Sequence, residues 1–406
     1  MNNQKIRNME LVNKEIYDEI HWWQFPLNEF SIKLYQHFKD TFFNKILTER
    51  SKSLEFASYI NNQSKKYNKN WNFKRQRALI WDYKADAEFV PAWFVYETAR
   101  YLKLDLLEIE ENIIAYVTFR GKNIVYRPKL PVKVTPEFTA IPIHAMGDGC
   151  FTPNGNFCYT QKESYNLKRF VNILTNIFGD YKIVHTKRKY GTPTYVTPKI
   201  FAQIITQYYG IDTYLSCECE IPKKIKSSNK LHKLATLASF ILDEGCTTSG
   251  IYLCSSNKKL LMDIINIAES LGYKCNSVVT SYRHKINPLW QNMYKVTMSA
   301  SSIESFYLDL GALFKEYPSL HIGKKFDNIK KWVEIRNKSW YQRRKGETKQ
   351  IILDFLRNGD KTAYELRDKA GVSLWTVYHH LQQLMKNDKV SKHRNGSYNF
   401  CYRLIR

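Results

Sequence analysis

A chain of 406 residues is long enough for two to four domains, each with a core of its own. Lys and Arg outnumber Asp and Glu by 62 to 38, and a formal charge of +24 points to a polyanionic partner, nucleic acid before an acidic membrane surface. No apolar run approaches the roughly 18 residues of a membrane span, and the opening MNNQKIRNMELVNKEI is too polar for a signal peptide. A cytoplasmic, nucleoid-associated protein that does not engage membrane is the expectation. The cysteines at 150, 158, 217, 219, 246, 254, 275 and 401 form no CxxC pair and lack His at metal-site spacing, so they read as buried free thiols. Cys217-Glu218-Cys219 alone supplies too few ligands for a structural metal site.

Taken in chain order, residues 1–126 are expected to form a helical domain. SLEFASYI, a break, then FKRQRALIWDY and VPAWFVYETARYLKLDLLEIEENI resemble a degraded phage-repressor-type helix-turn-helix, with Trp81, Trp93 and Phe94 as core residues. Residues 127–138, RPKLPVKVTPEF, hold Pro128, Pro131 and Pro136 and read as a linker.

An internal repeat follows, and repeats govern the fold. GDGCFTPNGNFCYTQ from 147 and DEGCTTSGIYLCSSN from 243 align acid, glycine and two cysteines at a constant offset: Asp148, Cys150 and Cys158 against Glu244, Cys246 and Cys254. Each copy then turns helical, with apolar positions Leu167, Phe170, Val171, Leu174 and Phe178 against Leu260, Ile264, Ile265, Ile267 and Leu271. Gly179 and Gly272 are the expected C-terminal caps. A β-rich stretch and a closing helix complete each copy. The order helix, two strands, helix, two strands, helix gives an α+β domain with pseudo-two-fold symmetry, residues 139–220 and 221–340.

Beyond the repeat, GKKFDNIKKWVEIRNKSWYQRRKGETK sets ten Lys or Arg against three acids, a tract that either tracks phosphates or forms a solvated helix face. Residues 347–406 read as a winged helix. Gly371 breaks two helices, Ser373 caps the second, and Val377, Leu381 and Leu384 form its core face. KVSKHRNGSYNFCYRLI is then a hairpin turning at Asn395-Gly396. Ser373, Thr376, His379, Gln382 and Gln383 would face a DNA groove, with His393 and Arg394 on the wing.

The segment LATLASFILDEG is apolar on nearly every face until its final acids, so its helix is buried. Asp243 and Glu244 then stand where the helix dipole disfavours negative charge. If Asp148 ends a neighbouring helix, carboxylates converge and a cation must bridge them. Mg²⁺ held by carboxylates and water suits that need. The plain alternative makes Gly149 and Gly245 simple caps beside solvated acids.

These residues resemble the LAGLIDADG family. LASFILDEG, 237 to 245, matches its nine-residue motif in the Leu-Ala start and the acid-Gly end, and IPKKIKSSNKLHKL resembles the usual lead-in. IPIHAMGDG, 141 to 149, is similar to the archaeal variant in which His precedes a Gly-Asp-Gly end, and RPKLPVKVTPEF resembles a phrase that follows an N-terminal helix-turn-helix module in archaeal members. The likeness spans about 128 to 340. It implies a duplicated αββαββα LAGLIDADG saddle with an N-terminal helical, helix-turn-helix-like domain and a C-terminal winged helix. Two motif helices would pack at its centre and its sheets would lie on double-stranded DNA. By the resemblance, Asp148 and Glu244 are the catalytic acids that hold Mg²⁺ or Mn²⁺, and Lys295 is a basic partner. Lys187, Arg188, Lys189, Arg283 and Lys285 would contact DNA. Gly147, Gly149 and Gly245 would cap and pack the helices. Asp243, about 100° around the helix from Glu244, either backs the metal ligands or lies exposed. The motif's third and seventh positions usually hold small residues; the first copy has Ile143 and Gly147, and its Pro142 is expected only near a first helical turn.

Two functions from different classes follow. One is a free-standing homing endonuclease, a monomer acting as a pseudo-dimer. The other is a catalytically inactive, sequence-specific regulator on the same scaffold, favoured by the flanking modules and the unusual first helix. An RNA-splicing maturase is a third. The ends, Met-Asn and Leu-Ile-Arg, lack the nucleophile and His-Asn pair of an intein.

Overall fold

The computed structural model describes residues 18–47, 50–68, 83, 88–118, 123–151, 155–187, 192–215, 217–281, 293–338, 346–395 and 399–405. Two compact units partition the chain. The first comprises Met1–Asp243 with Met262–Ile264 and Leu313–Leu320; the second comprises Glu244–Leu261, Ile265–Ala312 and His321–Arg406.

The first unit opens with β1 (Glu19–Ile20), β2 (Phe30–Leu34), α1 (Gln36–Leu47), α2 (Arg50–Ser64), β3 (Val90–Pro91), α3 (Ala92–Leu102), α4 (Leu106–Glu111), β4 (Ile113–Thr118), β5 (Ile124–Tyr126) and β6 (Val132–Lys133). β2, β3, β4 and β5 form with β9 (Asp180–Tyr181) an antiparallel sheet in the order β3-β2-β4-β5-β9, and β1 pairs separately with β6. The N-terminal region is therefore not the all-helical domain expected. FSIKL and IIAYVT are β-branched and apolar, and they satisfy each other's backbone across four intervening helices, a pairing no local window reveals. Trp93 and Phe94 are core, as their pattern suggests, and Phe94 stacks on Phe43. Trp81 lies outside the described residues.

The linker reading of 127–138 also needs correction. β6 pairs with β1, and a helix begins at Pro136. Thr135 caps it by accepting from the Phe138 amide, and Pro136 occupies a first-turn position whose N–H would have no helical partner anyway.

The first repeat runs α5 (Pro136–Met146), β7 (Gly149–Phe151), β8 (Phe157–Thr160), α6 (Ser164–Phe178), β10 (Val184–Lys187), β11 (Pro193–Val196) and α7 (Lys199–Tyr209). All five expected core positions of α6 are buried. Gly179 ends that helix at φ 101°, where a Cβ would stand 2.6 Å from the Arg127 carbonyl oxygen. After a short α8 (Lys223–Lys226) comes α9 (Lys230–Glu244), buried from Leu234 through Leu242.

The second unit carries β12 (Gly245–Cys246), β13 (Tyr252–Ser255), β14 (Val279–Ser281) and β15 (Met293–Thr297), in sequence with α10 (Lys258–Ser270) and α11 (Ile303–Glu316). Asn257 caps α10 through the Lys259 and Leu260 amides. The two four-stranded sheets are β7-β8-β11-β10 and β12-β13-β15-β14, both antiparallel throughout. Counted in chain order within each copy, both read first, second, fourth, third. The duplication is thus one of topology as well as of sequence.

The first part of the basic tract is a packed helix, α12 (Lys324–Lys338), and residues 339–345 lie outside the described residues. Ile329 is buried, Lys325 Nζ donates to the Gly245 carbonyl at 2.7 Å, and Trp332 Nε1 donates to the Thr247 carbonyl at 3.2 Å. The C-terminal module comprises α13 (Glu347–Leu356), β16 (Lys361–Thr362), α14 (Ala363–Ala370), α15 (Leu374–Lys386), β17 (Val390–Asn395) and β18 (Asn399–Leu404). Its strands are ordered β16-β18-β17 over a core that includes Leu356, Leu366, Val377, Leu381, Leu384 and Val390. Gly371, at φ 58°, turns α14 into α15. Among the described residues, no helix is long and apolar enough to cross a membrane. None of the eight cysteines is in a disulfide, but only Cys158, Cys219 and Cys401 are buried; Cys217 and Cys246 are exposed, against the expectation of a fully buried set.

Candidate functional site

Helix α5 delivers Asp148. Because Thr135 starts the helix early, Pro142 lies well inside it, not in its first turn, and cannot donate to the carbonyl four residues back. The helix nevertheless continues to Met146, and the Gly147 amide closes it on the Ile143 carbonyl at 3.0 Å. Two glycines then make the exit possible. A Cβ at Gly149 would run into the Phe157 ring and stand 2.6 Å from Ala145 Cα. A Cβ at Gly147 would lie 2.8 Å from Asp243 Cβ, so this glycine lets the ends of α5 and α9 approach.

Asp243 is the centre of a buried polar cluster. Its side chain is 1 % exposed. Tyr159 donates its hydroxyl to Oδ1 at 2.6 Å, and His144 Nδ1 donates to Oδ2 at 2.8 Å. Gln161 Nε2 donates to Asp243 Oδ1 at 3.2 Å and also to Asp148 Oδ2, so one amide joins both carboxylates. Burial, and then the charge and hydrogen bond of Asp243, hold the Tyr159 phenol well above its usual range, which keeps it a neutral donor. His144 packs edge-on against Tyr159 and Phe170. Asp243 is therefore not exposed. The motif pattern also missed Gln161, whose only sequence signal was its place just beyond the second strand of the repeat.

Glu244, described within the second unit, is half-buried as the last residue of α9, and Gly245 begins β12. Asp148 is likewise half-buried. Lys295 on β15 rests its ammonium 3.7 Å from the centre of the Tyr252 ring, a cation–π contact on the neighbouring strand. Lys187 closes β10 opposite Pro193. Arg188, Lys189, Arg283 and Lys285 lie outside the described residues. Among the described residues, no three of His, Cys, Asp and Glu gather as a metal cluster, and Cys217 and Cys219 have no third ligand beside them.

In the C-terminal module, Ser373 Oγ accepts from the Thr376 amide at 3.0 Å and lies 2.7 Å from Thr376 Oγ1. His379 and Gln382 are exposed. The hairpin is anchored by Asp360, which accepts two hydrogen bonds from Arg403, each 2.7 Å, and meets His393 Nε2 at 2.9 Å. The Arg403 bonds hold the Asp360 carboxyl below the usual carboxylate range. Arg394 is exposed, 5.7 Å from the Phe400 ring centre. Gly396 lies outside the described residues.

No family model and no curated protein matches the chain. Among solved structures, it is similar to variants of the homing endonuclease I-DmoI, at 16% identity over 43% of this chain and 94% of that one, with a TM-score of 0.32. It is similar to I-DmoI in complex with DNA and Mn, at 15% identity over 44% of this chain and 97% of that one, TM-score 0.32. Full-length DUF199/WhiA from Thermatoga maritima shares 10% identity over 62% of this chain and 90% of that one, TM-score 0.31. Likenesses this low describe a partial resemblance of fold and assign no residue.

Proposed function

We propose that this chain binds double-stranded DNA on a duplicated LAGLIDADG-type scaffold and hydrolyses phosphodiester bonds with a divalent metal. The observation that supports this reading is the repeated unit itself: a helix ending in an acid and a glycine, followed by four strands in the same first-second-fourth-third order, twice in a chain of charge +24. On this reading the repeats are 139–220 and 221–340, and residues 347–406 are a winged helix. Lys187, Arg188, Lys189, Arg283 and Lys285 are the proposed phosphate contacts.

Asp148 and Glu244 are the proposed metal ligands. Carboxylate oxygens suit Mg²⁺ or Mn²⁺, and a cation offsets the penalty of an acid at a helix C-terminus. Bound metal would polarise the scissile phosphate and acidify water. Gln161 holds Asp148 by one oxygen, and Asp243, committed on both oxygens, fixes Gln161 in turn. Lys295 is the proposed basic partner in the second copy. The engagement of both aspartates within the protein also favours a second reading, a regulator that binds without cutting.

Incubating supercoiled plasmid and a target-sequence library with Mg²⁺ or Mn²⁺ separates the two. Metal-dependent cuts are expected, lost in Asp148→Asn and in Glu244→Gln while binding persists. Tight binding with no cleavage at any metal concentration assigns the regulator instead.

A further inference from the structure

Helix α15 presents two opposite stripes. Leu374, Val377, Leu381 and Leu384 are buried. Trp375, Tyr378, His379 and Gln382 follow the i, i+3, i+4, i+7 spacing of a single face, and all are exposed, Trp375 by 74%. This second stripe is not spare core, since the module's own core is already filled from the other side.

We propose that this stripe reads bases in the major groove of duplex DNA, with the Trp375 ring packing on thymine methyl groups; the inference rests on the DNA-binding reading above and adds a specificity residue to it. Trp375 is held in place before any partner arrives. Its ring stacks on His379 with centroids 5.5 Å apart and planes 8° from parallel, and His379 hydrogen-bonds Gln383 at 2.8 Å. A ring fixed in its contact geometry loses little freedom on binding. The hydroxyls of Ser373 and Thr376 answer each other and the helix N-terminus, so they fix the start of the helix that carries the stripe. Charge selects the partner. The helix carries no acidic residue, and the adjoining hairpin places Lys392 and Arg394 over the exposed Phe400 ring. An α-helix fits the major groove, whose one apolar group is the thymine C5 methyl.

The test selects preferred sequences from random duplexes with the full chain, then replaces thymines in the selected duplex by uracil, one at a time. For the wild type, at least one replacement should weaken binding about fourfold, the worth of one buried methyl. Trp375→Ala should lose that sensitivity and Trp375→Phe should keep it. The inference is overturned if Trp375→Ala selects the same sequence with the same affinity, or if its effect multiplies independently with that of uracil. A wild-type chain that binds no duplex at all overturns the DNA-binding reading as well. Because Trp375 is 74% exposed, its replacement is expected to leave the fold intact, which circular dichroism of the variant checks.

Discussion

His232 is 8% exposed on α9, with Nδ1 2.6 Å from Thr139 Oγ1, which in turn lies 2.9 Å from the Tyr209 hydroxyl. Burial pulls its imidazole down to about 4, offset in part by the charge of Asp18. Between about 4 and 6.5 the unfolded chain therefore binds a proton that the folded chain refuses. Stability is complete above the unfolded value and falls as pH drops toward 4, by on the order of 3 kcal/mol from this residue. Denaturant titrations at pH 7 and pH 4.5 should show that loss in the wild type and a smaller one in His232→Asn; an equal loss in both would place the acid sensitivity elsewhere. The same burial governs what could be read at this scale. Glu244 and Asp148 stood out because each precedes a glycine in a repeated phrase. Asp243 was left open between backing the metal ligands and lying exposed, since its partners His144 and Tyr159 arrive from the other copy, far along the chain.

Helices α5 and α9 meet where Gly147 faces Asp243, with no room for a methyl group between them. Gly147→Ala should cost about 1–3 kcal/mol through overpacking, measured as a lower melting temperature. A variant as stable as the wild type would show that the helix ends are free to part. Elements were legible where their signals were local. Gly179 and Gly272 follow α6 and α10 at positive φ, and the apolar spacing matches the buried faces at every expected position but Leu271, which is the half-buried cap of α10. The N-terminal sheet was opaque for the opposite reason. β2 and β4 are short, and what makes them strands is the hydrogen bonding of one to the other across α1, α2, α3 and α4.

Across the whole molecule, an excess of 24 positive charges would make the proposed DNA affinity a matter of ion release. If six or more phosphates are contacted, affinity should fall roughly a thousandfold between 50 and 200 mM salt, as fluorescence anisotropy on a labelled duplex would report. A change of less than about tenfold would mean that few phosphates are engaged. The seventh motif position carries a consequence at this scale too. Two first halves brought together would set glycine against glycine and leave a gap. Two second halves would set Asp243 against its own copy, like charges sealed from water. Only the unlike pair fills the space, so Gly147 and Asp243 cannot trade places without opening a gap or crowding a carboxylate.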